Sequence, residues 1–416
     1  MSAVKVSGKN KLYGNIKIQG CKNAVLPIIA ASLLNGGENI IHNCPYLADV
    51  IASIKILEEL GASAVFDGNT LVIDSSGISC RRVEPALMKS LRSSVVFLGP
   101  VLSRCGKAAV SMPGGCDIGK RPIDIHLTSF ERMGVDVECA GDEVTCAVNK
   151  LHGERIVLPF PSVGATENIM LLAALGRGVT TIHNAAREPE IVDLQNFLNS
   201  MGARVFGAGT GNITIYAVDK LTDSEYTVMT DRIEAATFAC AVAAAGGELY
   251  MEGIKPGYIR TVTNILKNSG AAVAEYPDSV YVGAPSQISC PQLVSTGPYP
   301  GFPTDAQSLL MSVMSCSKGS GVIRENIFEN RFGHAQELRR LGADIIIDGR
   351  SAYVRGAALT GGQVTARDLR SGAALVVAAL AAEGETTVEK AVYIDRGYDD
   401  LVGKLGSLGA SIERVN

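Results

Sequence analysis

Apolar positions along the chain come in two textures. The runs Ala24 to Leu34, Ala165 to Leu175 and Ala373 to Ala382 are apolar nearly throughout, which predicts helices buried on every side. Runs such as Ile54-Lys55-Ile56-Leu57-Glu58-Glu59-Leu60 carry a single apolar stripe and predict helices with one wet face. Short stretches predict strands: Asn39 to His42, Leu71 to Asp74, Val179 to Ile182, Ile213 to Tyr216 and Thr386 to Val388. The order repeats. A glycine that ends a helix and leads into a strand recurs at Leu60-Gly61-Ala62, Met133-Gly134-Val135, Met201-Gly202-Ala203, Ser269-Gly270-Ala271, Leu341-Gly342-Ala343 and Leu408-Gly409-Ala410, at intervals of about 70 residues.

The repeating unit is β-α-β-α-β-β, present six times, so the fold class is α/β. The last copy stops at Glu413-Arg414-Val415-Asn416 one strand short, and Val4-Lys5-Val6 begins the chain without a partner. The first strand is therefore expected to complete the last repeat. That places residues 1–20 and 230–416 in one domain and 21–229 in another, three repeats each, with a ligand cleft between them.

Composition narrows the function. The chain has 416 residues, 47% of them apolar, enough for two cores. A net charge of −4 without a basic run argues against nucleic acid as a partner. Absence of a signal-like start or an apolar run of spanning length points to a cytoplasmic protein not inserted in a membrane. Ten cysteines without CxxC pairs read almost entirely as free thiols, and five dispersed histidines give a metal little to bind.

Candidate chemistry concentrates in two kinds of place. One is the loop Pro113-Gly114-Gly115-Cys116-Asp117-Ile118-Gly119-Lys120-Arg121-Pro122, where glycine and proline forbid regular structure and two cations follow a thiol. Such cations favour thiolate and could also hold an anion, so Cys116 is either a reactive group or an incidental thiol in a turn. The other is the start of each more buried helix: Lys22-Asn23, Arg92, Ser162-Val163-Gly164, Asp231-Arg232, Thr304-Asp305 and Asp368-Leu369-Arg370. Cations there oppose the helix dipole, which makes them poor for stability and suited to phosphate or carboxylate. Thr304 and Gln307 fit a capping box, which would make Asp305 a stabilising first-turn acid. Three charged loops, Ala186 to Glu190, Glu325 to Phe332 and Ile394 to Tyr398, read singly as surface ion pairs and jointly as the rim of a site.

In this order the motifs resemble those of the UDP-N-acetylglucosamine enolpyruvyl transferase family, from end to end. They are Lys22-Asn23, the Cys116 loop continuing through Arg121-Pro122-Ile123-Asp124-Ile125-His126, Ser162 to Thr166, Arg187 to Glu190, Phe302 to Asp305, Glu329 to Phe332 and Ile394 to Tyr398. The resemblance implies an inside-out α/β barrel of two domains with three repeats each. It implies transfer of the enolpyruvyl group of phosphoenolpyruvate to the 3'-hydroxyl of UDP-N-acetylglucosamine with loss of phosphate, the first committed step of peptidoglycan synthesis, without metal or organic cofactor.

By the same resemblance Cys116 serves as proton donor, nucleophile or both, and is the target of fosfomycin. Asp305 takes the proton of the attacking hydroxyl. Lys22, Arg121 and Arg396 hold the anionic groups of phosphoenolpyruvate, and Arg331, Asp368 and Arg370 shape that side of the site. Arg92, Arg121, Pro122, Ile123, Asp124, Ile125, Ser162, Val163, Asp305 and Ile327 fall at positions that hold the sugar nucleotide, and Asn23 and Gly164 at substrate-binding positions. Where some members carry Lys, this chain has Ala48 and Phe160, which implies altered affinity and not another reaction. The shikimate-type enolpyruvyl transferase shares fold and chemistry but lacks the cysteine loop. A non-catalytic paralogue that binds the sugar nucleotide and regulates wall synthesis is the reading from another class.

Overall fold

The computed structural model describes residues 2–79, 83–111, 123–141 and 143–415. Two compact units are present: one gathers the stretch up to Gln19 with the stretch from Thr230 onward, and the other lies between Gly20 and Met229.

The discontinuous unit is built on three four-stranded sheets. In the first, Leu12–Lys17 runs parallel to Gly247–Glu252, followed across the sheet by Ser279–Ala284 and Ala272–Tyr276. In the second the order is Leu293–Ser295, Ser320–Arg324, Ser351–Arg355 and Asp344–Asp348. In the third, Ala3–Ser7 lies between Glu385–Glu389 and Ser411–Val415, antiparallel to both, with Gln363–Thr365 at the edge. The N-terminal strand thus supplies what the last repeat lacks.

Alternation decides which face is dry. In the second sheet Ile323, Ala352, Val354 and Ile345 are buried, whereas Tyr353 and Ile346, paired in register, face outward. The inward faces cover three helices, Arg232–Ala245, Thr304–Cys316 and Leu369–Ala381, which pack on one another. Every residue of the first is buried, as the absence of a polar stripe requires. Small side chains let their backbones approach, and serines bridge the seam: Ser312 Oγ donates to the carbonyl of Ala374 at 2.7 Å and Ser308 Oγ to that of Arg370 at 3.1 Å. The second bond fixes the arginine's backbone on its neighbouring helix.

The contiguous unit repeats the plan. Its sheets are Ser224–Thr227, Glu38–His42, Thr70–Asp74 and Ser63–Asp67; Lys107–Ser111, Glu143–Val148 and Val135–Ala140; and Arg204–Phe206, Asn212–Tyr216, Val179–His183 and Arg155–Val157. Its most buried helices are Lys22–Ala31, which accommodates Pro27, and Val163–Ala174. A 3-10 turn over Arg92–Phe97 leads into the helix Leu98–Cys105 beside the latter. All six recurring glycines, Gly61, Gly134, Gly202, Gly270, Gly342 and Gly409, adopt left-handed φ values between 88° and 107°. That geometry turns each helix toward its strand at little cost only for glycine.

The described cysteines are free thiols with one exception. Cys44, Cys139, Cys146, Cys240, Cys290 and Cys316 are thiols, and burial pushes Cys44 and Cys240 up to about 12, so those two are inert packing groups at neutral pH. Cys105 is disulfide-bonded.

Candidate active site

The helix Thr304–Cys316 follows Pro303, whose extended backbone occupies the N-cap position without a side-chain cap. Thr304 therefore does not close a capping box. Its Oγ1 instead donates to Oε2 of Glu325 at 3.0 Å, and the Gln307 amide is buried without a hydrogen-bond partner among the described residues. Glu325 explains the preference. Only 1% exposed, its carboxylate also accepts from Thr296 Oγ1 at 2.9 Å and from the backbone N–H groups of Ile327 and Phe328 at 2.8 and 3.1 Å. Four donors offset the cost of burying one charge, so Glu325 is an internal fastener and not a surface ion-pair group. It fixes Ile327 and the start of the Asp305 helix on one anchor.

Asp305 projects from that helix start into two buried guanidiniums. Arg331 Nη2 donates to Oδ1 at 3.0 Å and Arg370 Nη2 to Oδ2 at 3.0 Å, the arginine side chains being 5% and 6% exposed and the aspartate 27%. Burial opposes the charge of Arg370, but Asp305, Tyr398 and Asp231 outweigh it and hold its pKa above the usual arginine value. Arg370 also lies 6.0 Å from the centroid of the Tyr398 ring, and that buried phenol is within 2.7 Å of Thr237 Oγ1.

Asp368 caps the helix Leu369–Ala381 by accepting from Arg370 and Ser371 N–H at 2.9 and 3.1 Å, while Ser371 Oγ accepts from the Asp368 N–H at 2.9 Å. His334 is buried three residues beyond Arg331. Burial, reinforced by the Arg331 charge and opposed by Asp368, pushes its imidazole down to about 4, so it is neutral at pH 7. Arg396 ends the 3-10 helix Ala391–Arg396 and is half-buried.

In the contiguous unit, Lys22 opens the helix Lys22–Ala31, and its Nζ lies 2.7 Å from Oδ2 of Asp49, with both side chains largely buried. Asp49 carries no local signal in the sequence, being one more acid in the first turn of Ala48–Glu59. It holds the ammonium in one place, and Asn23 beside it is half-buried.

Ser162 does cap its helix, accepting from Ala165 N–H at 3.4 Å, while Thr166 Oγ1 donates to the Ser162 carbonyl at 2.8 Å and accepts from Ala186 N–H at 3.1 Å. Gly164 allows a close approach, because a β-carbon there would sit a tight 3.1 Å from Cε1 of His126. His126 in turn shares a 2.8 Å hydrogen bond with Asn168. This brings Ile123, buried, Asp124, exposed, and Ile125, half-buried, to the side of Ser162, Val163 and Gly164. Glu167 is buried in the same helix, and burial with the charges of Glu190 and Glu188 raises its pKa well above the carboxylate range. Cys116, Arg121 and Pro122 lie outside the described residues, as does the side chain of Arg92, whose backbone opens a 3-10 turn.

A family model described as EPSP synthase (3-phosphoshikimate 1-carboxyvinyltransferase) matches residues 6–405. The chain belongs to this enolpyruvyl transferase family. It is a transferase that aligns along nearly its whole length with curated relatives. UDP-N-acetylglucosamine 1-carboxyvinyltransferase 2 of Caldanaerobacter subterraneus subsp. tengcongensis is 46% identical over 416 residues, all of both chains. UDP-N-acetylglucosamine 1-carboxyvinyltransferase 1 of Symbiobacterium thermophilum is 48% identical over 99% of this chain and 94% of its own. Among solved structures, the enolpyruvyl transferase NikO from Streptomyces tendae superposes with a TM-score of 0.89 at 27% identity, covering 100% of this transferase and 99% of that chain. EPSP synthase from Acinetobacter baumannii gives 0.74 at 18% identity over the full length of both, a likeness of fold.

Proposed function

We propose that the chain transfers the enolpyruvyl group of phosphoenolpyruvate to the 3'-hydroxyl of UDP-N-acetylglucosamine with release of phosphate, in the cytoplasm, as the committing step of peptidoglycan synthesis. The observation that carries this reading is the clasp of Asp305 by Arg331 and Arg370, in a chain 46% and 48% identical to relatives named for that reaction. Each unit, with sheets outside and helices inside, is read as an inside-out barrel of three repeats.

The chemistry needs a proton for the methylene carbon of phosphoenolpyruvate, fixed positive charge on its phosphate and carboxylate, and an acceptor for the hydroxyl proton. The reading assigns the first to Cys116. Lys22, Arg121 and Arg396 supply the second, and Asp305 the third, its two oxygens held by guanidiniums so that the carboxylate cannot swing from the hydroxyl it orients. Addition gives a tetrahedral ketal. Loss of phosphate and of a methyl proton then restores the enol ether on the sugar. Arg92, Ser162 to Gly164, Arg121 to Ile125, Asn23 and Ile327 would hold the sugar nucleotide, and Asp368 and Arg370 would border phosphoenolpyruvate.

The test is phosphate release from phosphoenolpyruvate with and without UDP-N-acetylglucosamine, in wild type and Cys116→Ser. Release that requires the sugar nucleotide and collapses in the variant is expected. Release driven by shikimate 3-phosphate instead, or binding of the sugar nucleotide without turnover, would replace this reading by the shikimate-type enzyme or the regulatory paralogue.

A further inference from the structure

Arg396 ends a short 3-10 helix, and the segment just past it is held by a residue almost 380 positions away in sequence. Nε2 of Gln19 donates to the carbonyl of Gly397 at 3.0 Å, and its Oε1 accepts from the backbone N–H of Asp399 at 3.0 Å. The backbone of Gln19 is equally engaged. Its N–H donates to Glu234 Oε2 at 2.6 Å and its carbonyl accepts from Asp231 N–H at 2.8 Å.

Glu234, 1% exposed, receives Lys404 Nζ on its other oxygen at 2.6 Å, and Lys404 lies in the helix Leu401–Ser407 that continues from the same segment. Residues 397 to 404 are thus tied twice to one cluster. All four polar groups of Gln19 are used, at 9% exposure. Gln19 is also the last residue of its unit before the chain passes to Gly20, and Asp231 follows the return at Thr230.

We propose that Gln19 is a positioning residue for Arg396. By clamping Gly397 and Asp399 it fixes where the guanidinium stands to meet the anion, and it links both exits of the chain from this unit to that segment. The inference rests on the function proposed above. No other side chain spans the two backbone groups in this way among the described residues, so loss of the amide loosens Gly397 and Asp399 while leaving the Tyr398 and Lys404 ties in place.

The test is steady-state kinetics on wild type, Gln19→Met, Gln19→Glu, Arg396→Lys and the double variant Gln19→Met with Arg396→Lys. Methionine keeps the length and loses both bonds; glutamate keeps the acceptor for Asp399. Gln19→Met is expected to raise KM for phosphoenolpyruvate about tenfold, the scale of its two lost hydrogen bonds at the low end of their usual worth, with a smaller rise in Gln19→Glu. KM for UDP-N-acetylglucosamine stays unchanged, and the Gln19→Met effect vanishes in the Arg396→Lys background. An unchanged KM in Gln19→Met, with Arg396→Lys raising it, overturns the inference and leaves the proposed function standing. Equal rises for both substrates that persist in the Arg396→Lys background mark general loosening and also overturn it. Failure of the wild type to transfer overturns the proposed function, and this inference with it.

Discussion

Replacing Asp305 by asparagine keeps the shape of the side chain and removes its charge. The structure gives two separate consequences. For stability, Arg331 and Arg370 are 5% and 6% exposed and each loses an anionic partner at 3.0 Å. Breaking a fully buried pair costs about 3–5 kcal/mol, but Asp305 is 27% exposed and the asparagine oxygen still accepts from one guanidinium, so about 2 kcal/mol is expected. For a body of this size that lowers Tm by about 4–8 °C. For activity, loss of the proton acceptor lowers kcat by about 10²–10⁴. Thermal unfolding by circular dichroism reads the first, and phosphate release at saturating substrates reads the second. A variant that turns over within tenfold of wild type would refute the role given to Asp305. An unchanged Tm would refute the clasp as a source of stability, whatever the rate.

Two further perturbations test stability beside the site residues. His334 has its folded pKa pushed from 6.5 down to about 4, so its contribution to stability is present above pH 6.5 and is lost as pH falls through 4, about 3 kcal/mol in all. His334→Gln removes that titration, and the urea midpoints of wild type and variant should converge or cross between pH 7 and pH 4; a constant gap sinks the argument. Gly20→Ala places a β-carbon 1.7 Å from the carbonyl oxygen of Asn43, which forces backbone movement two residues before Lys22 and should cost about 3 kcal/mol. Chemical unfolding checks it, and a midpoint equal to wild type counts against the close approach.

The periodic parts of this molecule were legible because single residues announce them. A glycine with left-handed φ must follow a helix that turns sharply, so six such glycines mark six helix ends, and the missing strand after Ser411–Val415 is found at Ala3–Ser7. Among site residues, Lys22 and Arg370 stood out as cations placed against a helix dipole. What the sequence could not convey is which polar groups meet. Glu325 looks like its exposed neighbour Glu329, and only the folded chain shows four donors converging on it. Asp49 and Tyr398 are equally silent, since their partners Lys22 and Arg370 lie 27 and 28 positions away along the chain. The Thr304 cap failed for the same reason: a local motif met a stronger distant acceptor.

The position of Ala3–Ser7 in the middle of the last sheet has a consequence for how the protein is made. The strand is made before its partners Glu385–Glu389 and Ser411–Val415, which follow some 400 residues later, about 20–80 s at ordinary rates of synthesis. The unit between Gly20 and Met229 has all of its strands once Thr227 has been added. The other must hold this strand in reserve until both partners exist, and with Glu385–Glu389 alone in place one edge of Ala3–Ser7 stays open, a template for pairing with another chain.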